Sequence, residues 1–288
     1  MDTIIGLGSA GCGIADHFAT YPQYTILKID VGLKGDGCYS LPKRKLHEDY
    51  DKGSFKGLSK FLKQGRGHVL FVTAGSGRVS GASLQILKLL QEHDTSVLYV
   101  QPDVGLLGET GALRERLVFN VLQQYARSGL FERMYLVANL DVEAVVGDIP
   151  MNVYYDRLNE TVASTLHMIN VFGKTEASIT NYSRPPSPAR ISTFGVIDME
   201  KNEEKLFFPL DIVADKCYYY AINQKAIEED GELYRNIRDQ IRERTKDGEY
   251  GVSYQIHTTS YEENYVYCVA HSKAVQGQKN FEKVLDNP

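Results

Sequence analysis

The chain has 288 residues, of which 43% are apolar and 24% charged, and a formal net charge of −5. That length allows one large domain or two ordinary ones around a proper core, and the acidic balance argues against a dedicated nucleic-acid binder. No window approaches the ~20 apolar residues of a membrane helix, and the scattered cysteines Cys12, Cys38, Cys217 and Cys268 form no CxxC pair, so neither a disulfide framework nor a zinc site is expected. Met1-Asp2-Thr3 leads directly into a strand-like run, without the basic segment and long apolar stretch of a signal peptide, so a cytoplasmic location is expected.

Short apolar, β-branched runs occur at Thr3–Leu7, Thr25–Asp30, His68–Ala74, Ser96–Val100 and Met134–Asn139. Helix-length segments separate them, at Gly11–Ala19, Ser54–Lys63, Ser80–Glu92 and Thr110–Arg127. That alternation predicts βαβ units and a parallel sheet buried on both faces. A long helix is expected over Asn152–Phe172, with Val153, Val162, Leu166 and Ile169 at helical spacing. The breaker-rich stretch Ser183-Arg184-Pro185-Pro186-Ser187-Pro188 then reads as a linker.

Beyond it, strands are expected at Ile191–Met199, Leu206–Ile212, Cys217–Asn223, Gly251–Ser260 and Tyr265–His271, with one helix at Glu232–Thr245. Glu200-Lys201-Asn202-Glu203-Glu204, Asp247-Gly248 and Glu262-Glu263-Asn264 supply turns. The expected division is a domain over 1–150, the long helix over 151–173, a linker over 174–190, a second domain over 191–272 and a polar tail over 273–288.

Two glycine-rich loops carry the chemistry. Gly6-Leu7-Gly8-Ser9-Ala10-Gly11 follows a strand and opens a helix, where glycines let the backbone turn tightly and present helix N–H groups to a phosphate. The string fits GxGxxG, and Asp30 stands at the end of the second strand, so a nicotinamide-dependent oxidoreductase is one reading. Gly75-Ser76-Gly77-Arg78-Val79-Ser80-Gly81 repeats the arrangement after another strand, placing a second anion site on the same sheet edge. A dinucleotide enzyme needs one such loop for its pyrophosphate, whereas two loops can grip one polyphosphate from both sides.

On these loops the chain resembles the tubulin/FtsZ superfamily. Leu7-Gly8-Ser9-Ala10-Gly11-Cys12-Gly13-Ile14 is similar to the tubulin loop GQxGxQIG, and Ala74–Gly81 resembles a shortened GGGTGSG. Gln101-Pro102 with Gly108-Glu109 resembles the RPF…EG ribose loop of FtsZ, though the loop here is longer. Asn139 stands where the family places a guanine-contacting asparagine, and Tyr155 with Asn159 at i+4 resembles the stacking aromatic and second guanine contact of its core helix. Asp156 with Asn152 is a competing pair in that helix.

The resemblance implies an α/β fold: a Rossmann-like parallel-sheet GTPase domain, a long core helix and a smaller α+β C-terminal domain. It implies GTP or GDP as ligand, touching Gly8, Ser9, Ala10, Gly11, Cys12, Asp30, Gly75, Ser76, Gly77, Arg78, Ser80, Gly81, Glu109, Asn139, Tyr155 and Asn159. Asparagine amides both donate and accept, so Asn139 and Asn159 suit a purine edge without selecting guanine by themselves. Asp30 has three open readings: a ribose contact, an indirect contact to Mg2+, or a plain strand-end carboxylate. Arg78, where the family has a small residue, reads equally as a clamp on the last phosphate or as a side chain that points to solvent or to a neighbouring subunit. Cys12 reads as a reactive thiol or a small packed residue. No residue is assigned as a metal ligand.

In the family a loop after the core helix brings acids to the neighbouring subunit's nucleotide. Here Gly173–Tyr182 lacks paired acids. Asp198, Glu200 and Glu203 have the right spacing for that role, but the strands on both sides favour a hairpin turn with solvated charges. The resemblance therefore implies a nucleotide binder with weak or lost GTP hydrolysis, self-assembling head to tail into cytoskeletal filaments. The alternatives are a non-polymerising, nucleotide-stabilised interaction module and the oxidoreductase already named. The tail reads as a contact to a neighbouring subunit or adaptor; no nucleic-acid or membrane partner is expected.

Overall fold

The structure, a computed structural model, describes residues 1–246 and 248–277. Asp247 of the expected turn, and the expected tail from residue 278 on, lie outside those residues. The chain divides into two compact units, Met1–Ser164 with the described residues from Val275, and Thr165–Ala274.

The first unit begins β1 (Thr3–Leu7), α1 (Gly8–Phe18), β2 (Thr25–Val31), β3 (Cys38–Leu41), α2 (Glu48–Asp51) and α3 (Leu58–Leu62). It continues with β4 (Val69–Thr73), a 3-10 turn at Arg78–Ala82, α4 (Ser83–Leu89), β5 (Thr95–Gln101), α5 (Glu109–Ser128), β6 (Arg133–Ala138) and α6 (Asn139–Val146). The helix α7 (Tyr154–Phe172) follows; its residues Ser164 and Thr165 fall in different units.

Every residue of β1, β4 and β5 is buried, as a sheet covered on both faces requires. The strands pair in parallel in the order β3-β2-β1-β4-β5-β6. From β1 the chain steps outward through β2 to β3, then returns and steps the other way through β4, β5 and β6. The order therefore reverses between β1 and β4, and open α/β sheets form their ligand crevice at such a switch point. The loops after these two strands are the two glycine loops.

α5 ends at Gly129, whose φ of +79° makes the left-handed cap. Its buried stripe runs Glu115, Val118, Phe119, Leu122, Gln123 and Ala126. Gln123 receives the chain after the second unit: its Oε1 accepts from Gln276 N at 2.7 Å and its Nε2 donates to Gln276 O at 3.2 Å.

The second unit holds β7 (Ile179–Thr180), β8 (Ile191–Asp198), β9 (Glu203–Leu206), β10 (Asp215–Asn223), α8 (Gln224–Glu229), α9 (Leu233–Thr245), β11 (Gly251–Thr259) and β12 (Tyr265–Ser272). Its strands order β9-β8-β12-β10-β11-β7, antiparallel except for β10 with β11. The two helices α8 and α9 provide the crossover that a parallel pair needs. Leu233, Ile237 and Ile241 fall on one face of α9 and pack with Tyr218, Tyr220, Ile222 and Ile256.

Two expectations here are corrected. Leu206–Ile212 is not a strand: the strand is the charged run Glu203–Leu206, whose Glu203 and Glu204 read from sequence as part of a turn, and Pro209 follows it. A second helix, α8, precedes the expected one; Asn223 Oδ1 caps it by accepting from Lys225 N and Ala226 N. The architecture as a whole, a helix-flanked parallel sheet, a long helix and a smaller α+β unit, is the one the sequence implies.

Candidate functional site

The first loop is shaped by glycines that nothing else could replace. Gly8 has φ +71°, a left-handed conformation that L side chains rarely adopt. A Cβ on Gly11 would stand 2.4 Å from Val72 O in β4, and one on Gly6 would stand 2.4 Å from Gly11 O. α1 therefore starts directly against the backbone of β1 and β4, with its first N–H groups free of intrahelical partners. A Cβ on Gly8 would also come within 2.9 Å of Val79 Cγ2, so the two loops approach each other closely.

The second loop is braced from within and from behind. Ser80 Oγ donates to Gly75 O and Gly77 O at 2.8 and 2.6 Å. Gly75 N donates to Glu115 Oε2 at 3.1 Å, and Arg114 Nε donates to Ser76 O at 2.9 Å. Tyr99 OH donates to Glu115 Oε1 at 2.6 Å. Glu115 is fully buried, and burial pushes its carboxyl up to about 7 despite the hydrogen bonds from Tyr99, Gly75 and Ser76 that favour the anion. The chain between β3 and α2 crosses the loop: a Cβ on Gly81 would lie 2.3 Å from His47 O, and Arg78 Nη1 donates to Lys45 O at 3.4 Å.

Both loops open on one cleft of about 300 Å³. Of the residues singled out in the sequence, Gly8, Ser9, Ala10, Asp30, Ser76, Gly77, Arg78 and Ser80 line it. Leu7, Val31, Lys43, Arg44, Tyr50, Ala74 and Val79 complete the lining. Tyr50 OH accepts from Arg44 N at 3.1 Å, which ties the crossing segment to α2.

Gly11, Gly75 and Gly81 are buried and do not line the cleft; they let backbones pass closely. Cys12 is 8% exposed, and its Sγ donates to Gly6 O and Ile29 O at 3.5 and 3.8 Å. Burial pushes this thiol up to about 12, so it is the packed residue of the two readings and not the reactive one. Alkylation of the folded protein with iodoacetamide at neutral pH, followed by peptide mass spectrometry, is expected to leave Cys12 unmodified. Rapid native labelling would contradict this packing.

The residues expected around a purine also belong to the first unit but do not line the cleft. Asn139 opens α6 directly after β6. Tyr155 is 63% exposed near the start of α7, with Tyr154 edge-on at 5.1 Å. Asn159 sits one turn further on, its Nδ2 2.7 Å from the Cβ that Gly13 lacks, which brings it against α1 just beyond the first loop. Asp156, of the competing pair, binds His17 Nε2 at 3.1 Å, while Asn152 is exposed in the 3-10 turn before α7. Glu109 is exposed at the first turn of α5.

Asp198, Glu200 and Glu203 lie in the second unit, at the end of β8, in the turn that follows and at the start of β9. Asp198 pairs with Glu203 across the antiparallel ladder. Its Oδ1 accepts from Glu200 N and Lys201 N at 3.0 and 3.1 Å, and the Lys201 N–H is the larger influence holding its carboxyl below the usual range. Among the described residues no helix lies between α7 and β8, and no helix is long and apolar enough to cross a membrane.

The sequence reading missed Lys43, Arg44, Tyr50 and Glu115. Lys43 and Arg44 follow β3, whose signal is only a short run between Gly37 and Pro42, and Tyr50 sits in the four-residue α2. Glu115 had a better signal, since it heads the i, i+3, i+4, i+7 stripe of α5 and so lies on the buried face.

No protein-family model matches the chain, and none of the curated proteins matches it. Solved structures do. A helical model of the four-stranded filament of TubZ-Bt is 16% identical, with 99% of this chain and 88% of that one covered and a TM-score of 0.75. Bacillus thuringiensis serovar israelensis TubZ, in GDP-form protofilaments, is 13% identical over 98% of this chain and 90% of that one, with a TM-score of 0.72. The FtsZ dimer of M. jannaschii is 11% identical over 96% and 92%, with a TM-score of 0.66. At such identities the likeness is one of fold: the chain has the tubulin/FtsZ fold.

Proposed function

We propose that this fold binds GTP or GDP in the cleft between its glycine loops and assembles head to tail into cytoskeletal filaments, with weak or lost hydrolysis. The observation that carries the reading is the shared cleft. Gly8, Ser9 and Ala10 at the start of α1 and Ser76, Gly77 and Arg78 opposite them face one space. Amides at a helix N-terminus attract an anion, and a second loop of small residues closes over the same polyphosphate. A nicotinamide dinucleotide would use only the first.

The purine is assigned toward Asn139, Tyr155 and Asn159. The exposed Tyr155 ring offers a stacking face, and the two amides offer hydrogen bonds to the base edge. The preference for guanine over adenine rests on the likeness of fold. The TubZ relative is a GDP-form protofilament, which supports both the ligand and the head-to-tail contact, because a heterologous interface that does not close builds a filament. Weak hydrolysis follows from the acids: a water-orienting carboxylate is the usual requirement, and Asp198 is engaged by its own hairpin turn.

The test is the small molecule released when freshly purified protein is denatured, identified by mass spectrometry. GDP or GTP is expected, and a nicotinamide dinucleotide would overturn the reading. Sedimentation and electron microscopy with GTP then separate a filament from the non-polymerising module; a strict monomer with every nucleotide removes the assembly part. Brisk phosphate release that rises with protein concentration would remove the part concerning hydrolysis.

A further inference from the structure

Among the described residues, four charged side chains line the cleft: Asp30, Lys43, Arg44 and Arg78. Lys43 and Arg44 come from the segment after β3, and Arg78 comes from the loop after β4. Among the described residues, no ion pair joins any of these three cations to a carboxylate. Arg78 makes only the long bond to Lys45 O, and the buried Nε of Arg44 has no partner. The Arg44 guanidinium lies 5.8 Å over the Phe55 ring, so the positive charge of the cleft stands without a counter-ion among the described residues.

The opposite charge is scarce. Among the described residues Asp30 is the one carboxylate of the lining, and its Oδ1 already accepts from Val31 N at 2.7 Å. No group of three His, Cys, Asp or Glu side chains among the described residues could hold a metal ion. Magnesium in nucleotide sites bridges phosphate oxygens, neutralises their charge and is anchored by carboxylates. This lining fits that role poorly, since it offers one partly engaged carboxylate and three cations that repel a divalent ion.

We infer that Lys43, Arg44 and Arg78 take the place of a divalent cation in this cleft, so that a nucleoside triphosphate binds it without Mg2+. Guanidinium groups suit the task because their planar N–H forks pair two phosphate oxygens at once. The inference rests on the nucleotide reading above and adds the means by which the phosphate charge is met.

The experiment is calorimetric titration of the nucleotide-stripped full chain with GTP, in excess EDTA and again in excess Mg2+. The two dissociation constants are expected to agree within about three-fold. The variants Arg44→Gln and Arg78→Gln, whose melting temperatures report on folding, are each expected to lose about ten-fold or more in EDTA and to regain part of it with Mg2+. Tight binding of the unaltered chain only with Mg2+ would overturn the inference and leave the nucleotide reading standing. So would folded variants that bind as the unaltered chain does in EDTA. Absence of binding in both media would remove the nucleotide reading and this inference with it.

Discussion

Gly11→Ala is expected to destabilise the first unit by about 3 kcal/mol, at the upper end of overpacking costs. The added methyl would meet Val72 O at 2.4 Å and Val72 C at 3.2 Å. Val72 is fully buried in β4, a strand held between β1 and β5, so the carbonyl has no room to withdraw. Moving α1 outward is equally unfavourable, because it would uncover Cys12 and Ile14, which are buried on that helix. Part of the strain would emerge as displacement of Gly8–Ala10, with weaker nucleotide binding as the second consequence.

Gly13→Ala is the control. Its methyl would meet Asn159 Nδ2 at 2.7 Å, which is the far end of a side chain that can swing away. The backbone term runs the other way, since alanine within a helix is favoured over glycine by about 1 kcal/mol. The net change in stability should stay below about 1 kcal/mol, although Asn159 is moved from its place over α1. Urea unfolding of the three proteins decides between these outcomes. Equal midpoints for Gly11→Ala and Gly13→Ala would refute the close-packing account of the first loop.

The sequence revealed the fold where burial on both faces forces a continuous apolar run. β1, β4, β5 and β6 were each legible to within about two residues for this reason. The glycine loops were legible because a left-handed turn at Gly8 and a backbone approach at Gly11 demand glycine. The edges were harder. β3 is largely half-exposed and spans only Cys38–Leu41, and α2 is four residues long with Tyr50 alone buried. Missing them hid the side of the cleft that brings Lys43, Arg44 and Tyr50. β9 was misread for a related reason. An edge strand shows one face to water, so Glu203-Glu204 reads as the end of a turn until Glu204 is seen to pair with Lys216 at 2.5 Å and to accept from Tyr218 OH at 2.9 Å. The buried Phe207 and Phe208, whose apolar run suggested a strand, follow β9 and precede Pro209.

Raising the pH from about 5 to about 8.5 is expected to cost the chain stability through Glu115, and Glu115→Gln is expected to remove that share. The sign follows from the direction of the shift. Burial carries the carboxyl from its ordinary 4.5 to about 7 in the folded state. Between those values the folded chain holds a proton that the unfolded chain has released. Stability therefore falls as pH rises through this window and stays low above it, by about 3 kcal/mol for a shift of this size. The groups facing the carboxyl do not reverse this: Tyr99 donates to it as a neutral phenol, and Gly75 and Ser76 contribute amides.

His47, His167 and His257 act in the opposite sense, because burial lowers their pKa values and favours the neutral ring as pH rises. The useful quantity is therefore the difference between the unaltered chain and Glu115→Gln, in which the histidines cancel. Glutamine keeps the shape, with its carbonyl accepting from Gly75 N and its amide facing the Tyr99 oxygen. The variant should be the more stable protein above about pH 7, by about 3 kcal/mol, and close to equal at about pH 5. Glu115→Ala should lose about 3 kcal/mol at acid pH as well, since Gly75 N would be left without its acceptor, and Tyr99 OH with only the longer bond to the residue 115 carbonyl, beside a cavity. If urea unfolding gives parallel pH profiles for the unaltered chain and the glutamine variant, the carboxyl beneath the second loop is not the proton-holding group, and the loop is braced without reference to its charge.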